Sequence, residues 1–144
     1  EFVQAYQTWF ADVGATRVNN YAAPKIHVGN KAETKTRLTR QDWINLEDTP
    51  YGWNPTNTIG SWPVIFDRSG SYDFTIYPHS AESDQPTELS FSIAGQNLAI
   101  KLDAGVNLHT FKNIEVTAGE QTVAASINVR NKQLGVHQIH ITRN

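Results

Sequence analysis

WPVIFDRSGSYDFTIY (residues 62–77) carries two runs of alternating apolar and polar side chains around a Ser-Gly break. Trp62, Val64 and Phe66 alternate with Pro63, Ile65 and Asp67. Tyr72, Phe74 and Ile76 alternate with Asp73, Thr75 and Tyr77. A period of two sends successive side chains to opposite faces of a strand. The stretch therefore predicts a hairpin that turns at Ser69-Gly70 and buries one face of each strand. Pro63 has no N–H to donate, which suits a strand start or an edge.

The same pattern continues downstream. Leu89, Phe91 and Ile93 face one way, and Leu98, Ile100 and Leu102 answer them across residues 95–97, a second hairpin. Residues 111–116, 122–129 and 136–141 supply three more strands, separated by Ala118-Gly119 and by 131–135. Upstream, 25–28 and 35–39 are short strand candidates. About eight or nine short strands with turn residues between them predict an antiparallel sandwich or barrel. One helix precedes them: Phe2, Tyr6, Trp9, Phe10 and Val13 fall at helical spacing and Gly14 follows as a stop. The expected organisation is a helix over 1–14, a polar connector over 15–24 and a β-domain over 25–144. An apolar stripe this aromatic wants a surface to cover, on the edge of this domain or on a neighbour.

Composition narrows the function. With 144 residues the chain is about one domain. Twelve Lys and Arg against 14 Asp and Glu give a net charge of −2, whereas a general nucleic-acid binder carries a basic stripe. No apolar run approaches the roughly 20 residues of a membrane helix. Nucleic acid and membrane are therefore not expected partners. There is no Cys, which excludes disulfides, thiolate zinc sites and cysteine nucleophiles. The chain also lacks Met and opens on Glu1 inside the helical pattern. The expectation is a domain from a longer protein, with any export signal outside it.

Unusual chemistry gathers between the strand patterns. Residues 37–62 (RLTRQDWINLEDTPYGWNPTNTIGSW) hold three of the four tryptophans. Most of the stretch shows neither period, so it predicts a long ordered loop, a feature that is usually functional. Trp43, Tyr51 and Trp53 offer flat faces of the kind that pack on sugar C–H surfaces. Asn54 and its polar neighbours suit hydroxyl rims. Arg37 and Arg40 offer forked donors for a sulfate or carboxylate. Trp62, in phase with Val64 and Phe66, belongs to the core, and Trp43 divides evenly between core and surface.

Catalytic patterns are missing. Phosphate loops, dinucleotide fingerprints, HExxH and EF-hand patterns do not occur. His137 and His140 point to opposite faces of one strand, His137 inward in phase with Ile139 and Ile141. His27 and His109 have no ligand-like neighbours. His79 near Glu82 and Asp84 reads as a solvated loop rather than a cation site. Asp42, Glu47 and Asp48 are too loosely placed to form a glycosidase pair. No enzymatic activity is expected.

Several runs resemble a known family. Tyr6-x-x-Trp9, Asp12-Val13, residues 15–17, Asn20-Tyr21, residues 24–29 and above all 38–43 (LTRQDW) resemble the segment that follows the catalytic domain in bacterial arylsulfatase-like proteins. Residues 60–64, 70–74 and 135–139 fit the same tail. The back half is similar to jelly-roll carbohydrate-binding modules of the galactose-binding-like kind, through Gly70-x-Tyr72 and Ala118-Gly119. The resemblance implies an all-β antiparallel sandwich acting as a C-terminal accessory domain, with its covalently linked catalytic partner elsewhere. Sulfatases need [CS]-x-P-x-R, and the nearest run here, 61–65, lacks the Arg. Jelly-roll modules often hold a structural calcium, but no ligand set here matches residue by residue. The leading expectation is a secreted or periplasmic, non-catalytic carbohydrate-binding module for a sulfated or otherwise anionic polysaccharide. It would bind through Trp43, Tyr51, Trp53, Arg37, Arg40 and Asn54, with an affinity near 10⁻⁴ M, about −5.5 kcal/mol. The alternative is a structural domain that buttresses a sulfatase catalytic domain.

Overall fold

The computed structural model describes residues 2–15, 24–47, 59–78, 86–129 and 132–144, with the side chains of 45–47 left out. Helix α1 spans Phe2–Ala15. Eleven strands follow among the described residues: β1 Ile26–Val28, β2 Lys35–Thr39, β3 Ile44–Glu47, β4 Ile59–Phe66, β5 Gly70–Tyr77, β6 Thr87–Ile93, β7 Gln96–Leu102, β8 His109–Val116, β9 Gly119–Val129, β10 Lys132–Gly135 and β11 Gln138–Arg143. They form two sheets. The larger runs β1-β4-β9-β6-β7, with β3 beside β4 and β10 beside β9; the smaller runs β2-β11-β5-β8. Only β1, on β4, pairs in parallel among them. This is the expected antiparallel β-sandwich with one N-terminal helix.

Alternation predicts correctly which side chains face inward. Trp62, Val64 and Phe66 of β4, Tyr72, Phe74 and Ile76 of β5, and Leu89, Phe91 and Ile93 of β6 are all buried. Rings from the two sheets interlock: Phe66 meets Tyr72 edge-on at 5.0 Å between centroids, and Phe74 lies 5.0 Å from Phe91.

The expected hairpin of 62–77 does not form. β4 lies in the seven-stranded sheet and β5 in the four-stranded one, so residues 67–69 arch from one layer to the other. Alternation specifies the buried face of a strand but not its neighbour. Here the two apolar faces meet across the core instead of lying side by side. The arch is tied down by Tyr72, whose hydroxyl donates to the Arg68 carbonyl at 2.6 Å. The second hairpin does form, with β6 and β7 joined through Ala94-Gly95, one step earlier than expected.

The expected long loop over 37–62 is also partly regular. β2 runs to Thr39, a single 3₁₀ turn covers Arg40–Asp42, and β3 pairs with β4. The turn carries the chain from the smaller sheet to the larger. Asp42 holds it, accepting from the Thr39 N–H at 2.7 Å and the Thr39 hydroxyl at 2.8 Å. Trp43 then drops into the core beside Trp62, 5.5 Å between centroids. Helix α1 buries none of its residues; Phe2, Tyr6, Trp9 and Phe10 all stay exposed.

Candidate functional site

Four neighbouring strands of the larger sheet, β4, β9, β6 and β7, turn a small set of side chains outward. With Val123, Ala125 and Ile127 of β9 in the core, Ala124 and Ser126 point to the outer face. The register aligns them with outward residues of their neighbours. One row across the sheet reads Ser61, Ala124, Ser92, Asn97, and the next reads Ser126, Ser90, Ala99. No side chain in these rows is larger than asparagine. The result is a furrow of about 420 Å³, with Ile59 and Gln133 among its lining residues, within the usual size range of ligand sites. Gln133 donates its amide to the Ser126 hydroxyl at 2.9 Å, which accounts for a buried serine on an outer face. Beyond the furrow, Glu88 of β6 and Lys101 of β7 face each other as a paired row.

The chemistry of the furrow follows from its lining. Hydroxyls and amides donate and accept, and the apolar floor offers C–H contacts. Among the described residues no charged or titratable side chain lines it. It can hold an uncharged polyol; it contains no acid–base pair.

Of the predicted site residues, Arg37, Arg40 and Trp43 are described, and none of the three lines the furrow. Arg37 stands exposed on the outer face of the four-stranded sheet, opposite His140, in the other layer from the furrow. Arg40 is half-buried. Its Nη2 donates to the Gly135 carbonyl at 3.1 Å and its guanidinium lies 4.8 Å from the centre of the Trp43 ring; burial lowers its pKa. Trp43 is only 7% exposed, so its ring is a core element and not a stacking platform. Tyr51, Trp53 and Asn54 lie outside the described residues, as do Asp48, His79, Glu82 and Asp84. The described ends of that stretch, Glu47 and Ile59, face each other across β3 and β4.

Several other polar groups have structural partners. His27 Nδ1 lies 2.6 Å from Asp67, which also accepts from Asn30 at 3.0 Å; those two hydrogen bonds hold the Asp67 carboxyl below its ordinary pKa. His137 is exposed, contrary to expectation, because β11 starts only at Gln138. His140 packs on Tyr77 at 4.7 Å between ring centroids, and burial, then the nearby Arg37 charge, lowers its pKa. Calcium takes six to eight oxygen ligands. Asp73 is already engaged by the Asn113 N–H and the Asn144 amide. Among the described residues no group of three His, Asp or Glu could hold a metal.

No family model matches the chain, and no curated protein matches it. Solved structures do. The chain is similar to the CBM36-1 domain of a multidomain xylanase from the hindgut metagenome of Trinervitermes trinervoides. The identity is 18% over 74% of this chain and 95% of that one, with a TM-score of 0.52. It is similar to a CBM35 from Cellvibrio japonicus, at 15% identity over 74% and 91%, TM-score 0.52. A family 35 carbohydrate binding module from Clostridium thermocellum gives 13% identity over 76% and 98%, TM-score 0.50. At these identities the likeness shows a shared fold. It agrees with the carbohydrate-binding-module part of the resemblance and lends nothing to the sulfatase part.

Proposed function

We propose that this chain is a non-catalytic carbohydrate-binding module whose glycan lies in the furrow on the outer face of the seven-stranded sheet. The observation that carries this is the uncharged floor of Ser90, Ser92, Asn97, Ala99, Ala124 and Ser126, kept open by small side chains. Strands favour β-branched and aromatic residues, and a stable sheet has no need of six small ones side by side. Solved carbohydrate-binding modules with the same fold support the reading. Tyr51, Trp53 and Asn54, outside the described residues, belong to the proposal as ring and amide contacts to the glycan.

The finer expectation of a sulfated or anionic polysaccharide rests on Arg37 and Arg40. Arg40 is engaged by Gly135 and Trp43 and Arg37 is in the other sheet, so the furrow favours a neutral glycan. A module of this kind works outside the cytoplasm, joined to a catalytic domain. A second reading, a domain that buttresses such an enzyme, is favoured by one observation: among the described residues α1 leaves Phe2, Tyr6 and Trp9 largely exposed.

Affinity electrophoresis of the isolated chain against neutral and anionic polysaccharides tests the proposal. Retardation by a neutral polysaccharide is expected. Ser90→Leu, which fills the furrow from its middle strand, weakens binding about tenfold or more, roughly 1.4 kcal/mol, with folding stability nearly unchanged. Absence of retardation by every polysaccharide contradicts it and leaves the buttress.

A further inference from the structure

We infer that two copies of this chain associate through β7, edge to edge, and so join their furrows into one. Among the described residues β7 has a neighbour on one side only. Exposed sheet edges are normally blunted by prolines, bulges, clustered charges or short length. The other edges show this: β8 is bulged, with Asn113 at φ 56°; β2 carries Lys35 and Arg37; β1 has three residues. β7 has no proline, no bulge and no cluster of charges. It is seven residues long, pairs with β6 without a register shift, and carries one charge, Lys101.

The register says which backbone groups are free. The turn residues Ala94 and Gly95 have φ 50° and 75°, the two-residue turn that closes on a hydrogen-bonded pair, here Ile93 and Gln96. Hydrogen-bonded and non-bonded pairs then alternate, so Asn97, Ala99 and Lys101 aim their N–H and C=O groups away from β6. An antiparallel two-fold pair centred on Ala99 satisfies all three. Ala99 faces Ala99 of the second copy, and each Asn97 faces the other copy's Lys101. No like charges meet, and each Lys101 keeps Glu88 beside it. On the inner side Leu98 faces Ile100 of the second copy, and both are only partly buried in the single chain. The pairing is self-complementary, as a two-fold interface requires.

The row Ser126, Ser90, Ala99 would then run on into Ala99, Ser90, Ser126 of the second copy. At about 4.8 Å per strand this is a furrow of roughly 24 Å, suited to an extended chain. That consequence rests on the glycan proposal; the association does not.

Sedimentation equilibrium over a concentration series reads the association without any glycan. The expected result is a weight-average mass that rises from 16.1 kDa towards twice that value. Lys101→Pro leaves the β6 pairing intact, since that N–H faces outward, and should hold the mass at the monomer value with its circular dichroism unchanged. Should Lys101→Pro unfold, Ala99→Cys provides a second test, because the chain has no other cysteine. On mild oxidation Ala99→Cys should cross-link two copies, while Thr122→Cys should not. A wild-type chain that stays monomeric at the highest soluble concentration overturns the inference, as does equal cross-linking at both positions.

Discussion

His140 shows how one residue carries several constraints at once. Its ring packs on Tyr77, and its Nε2 is buried with no hydrogen-bond partner among the described residues. Arg37 stands directly opposite on β2. Both burial and that charge disfavour the imidazolium, in that order, and lower the pKa from its ordinary 6.5. In the unfolded chain the imidazole titrates near 6.5, so between that value and the lower folded one the unfolded state holds more protons. Stability is therefore untouched above 6.5 and falls as pH drops through the window below it. Replacing Arg37 with Gln removes the smaller cause only. The His140 pKa, followed by its ring proton shifts in NMR, should rise in Arg37→Gln yet stay below the ordinary value; an unchanged pKa means the Arg37 charge is not felt there. None of this was legible from the spacing of His137 and His140, which set the two on opposite faces but could not show β11 starting after His137. Trp62 was legible, because its phase with Val64 and Phe66 is a local property. Trp43 was not, because its burial depends on the chain changing sheets at Arg40–Asp42.

At the scale of elements, periodicity specified faces and left partners open. β4 and β5 have the alternation of a hairpin, and their separation by 67–69 is short enough for one. Packing of Phe66 on Tyr72 and Phe74 makes them an arch between layers instead. Two glycines separate the causes that set such connections. Gly29 sits at φ +75°, and a Cβ there would collide with the Tyr72 hydroxyl that anchors the arch; Gly95 sits at the same φ with open space around it. Gly95→Ala should cost only the left-handed backbone term, about 1–2 kcal/mol. Gly29→Ala should cost that plus the disturbed Tyr72 hydrogen bond, a further ~1 kcal/mol or more. Urea unfolding midpoints measure both, and equal losses would mean that Tyr72 yields without cost. Helix α1 was predicted from its spacing, and its aromatic stripe is exposed, not packed on the edge strands.

At the scale of the whole molecule, the sandwich was readable because turns, alternation and chain length all agree with it. The furrow was not. Ser90 and Ser92 look like the polar half of any amphipathic strand, and only their small size beside Ala99, Ala124 and Ser126 distinguishes them. That coincidence requires the register of β4, β9, β6 and β7, which no single segment encodes. The rings and guanidiniums of 37–62 are the conspicuous side chains in sequence. The structure puts Trp43 in the core and Arg37 on the opposite face. The account therefore rests on the furrow as the place where glycan docks. Its most direct test is a titration of the isotopically labelled chain with neutral and acidic oligosaccharides, followed by backbone amide shifts. The account predicts that a neutral oligosaccharide perturbs Ser90, Ser92, Asn97, Ala124 and Ser126 together. Perturbations confined to the face around Arg37 and His140, or no perturbation by any sugar, would contradict it.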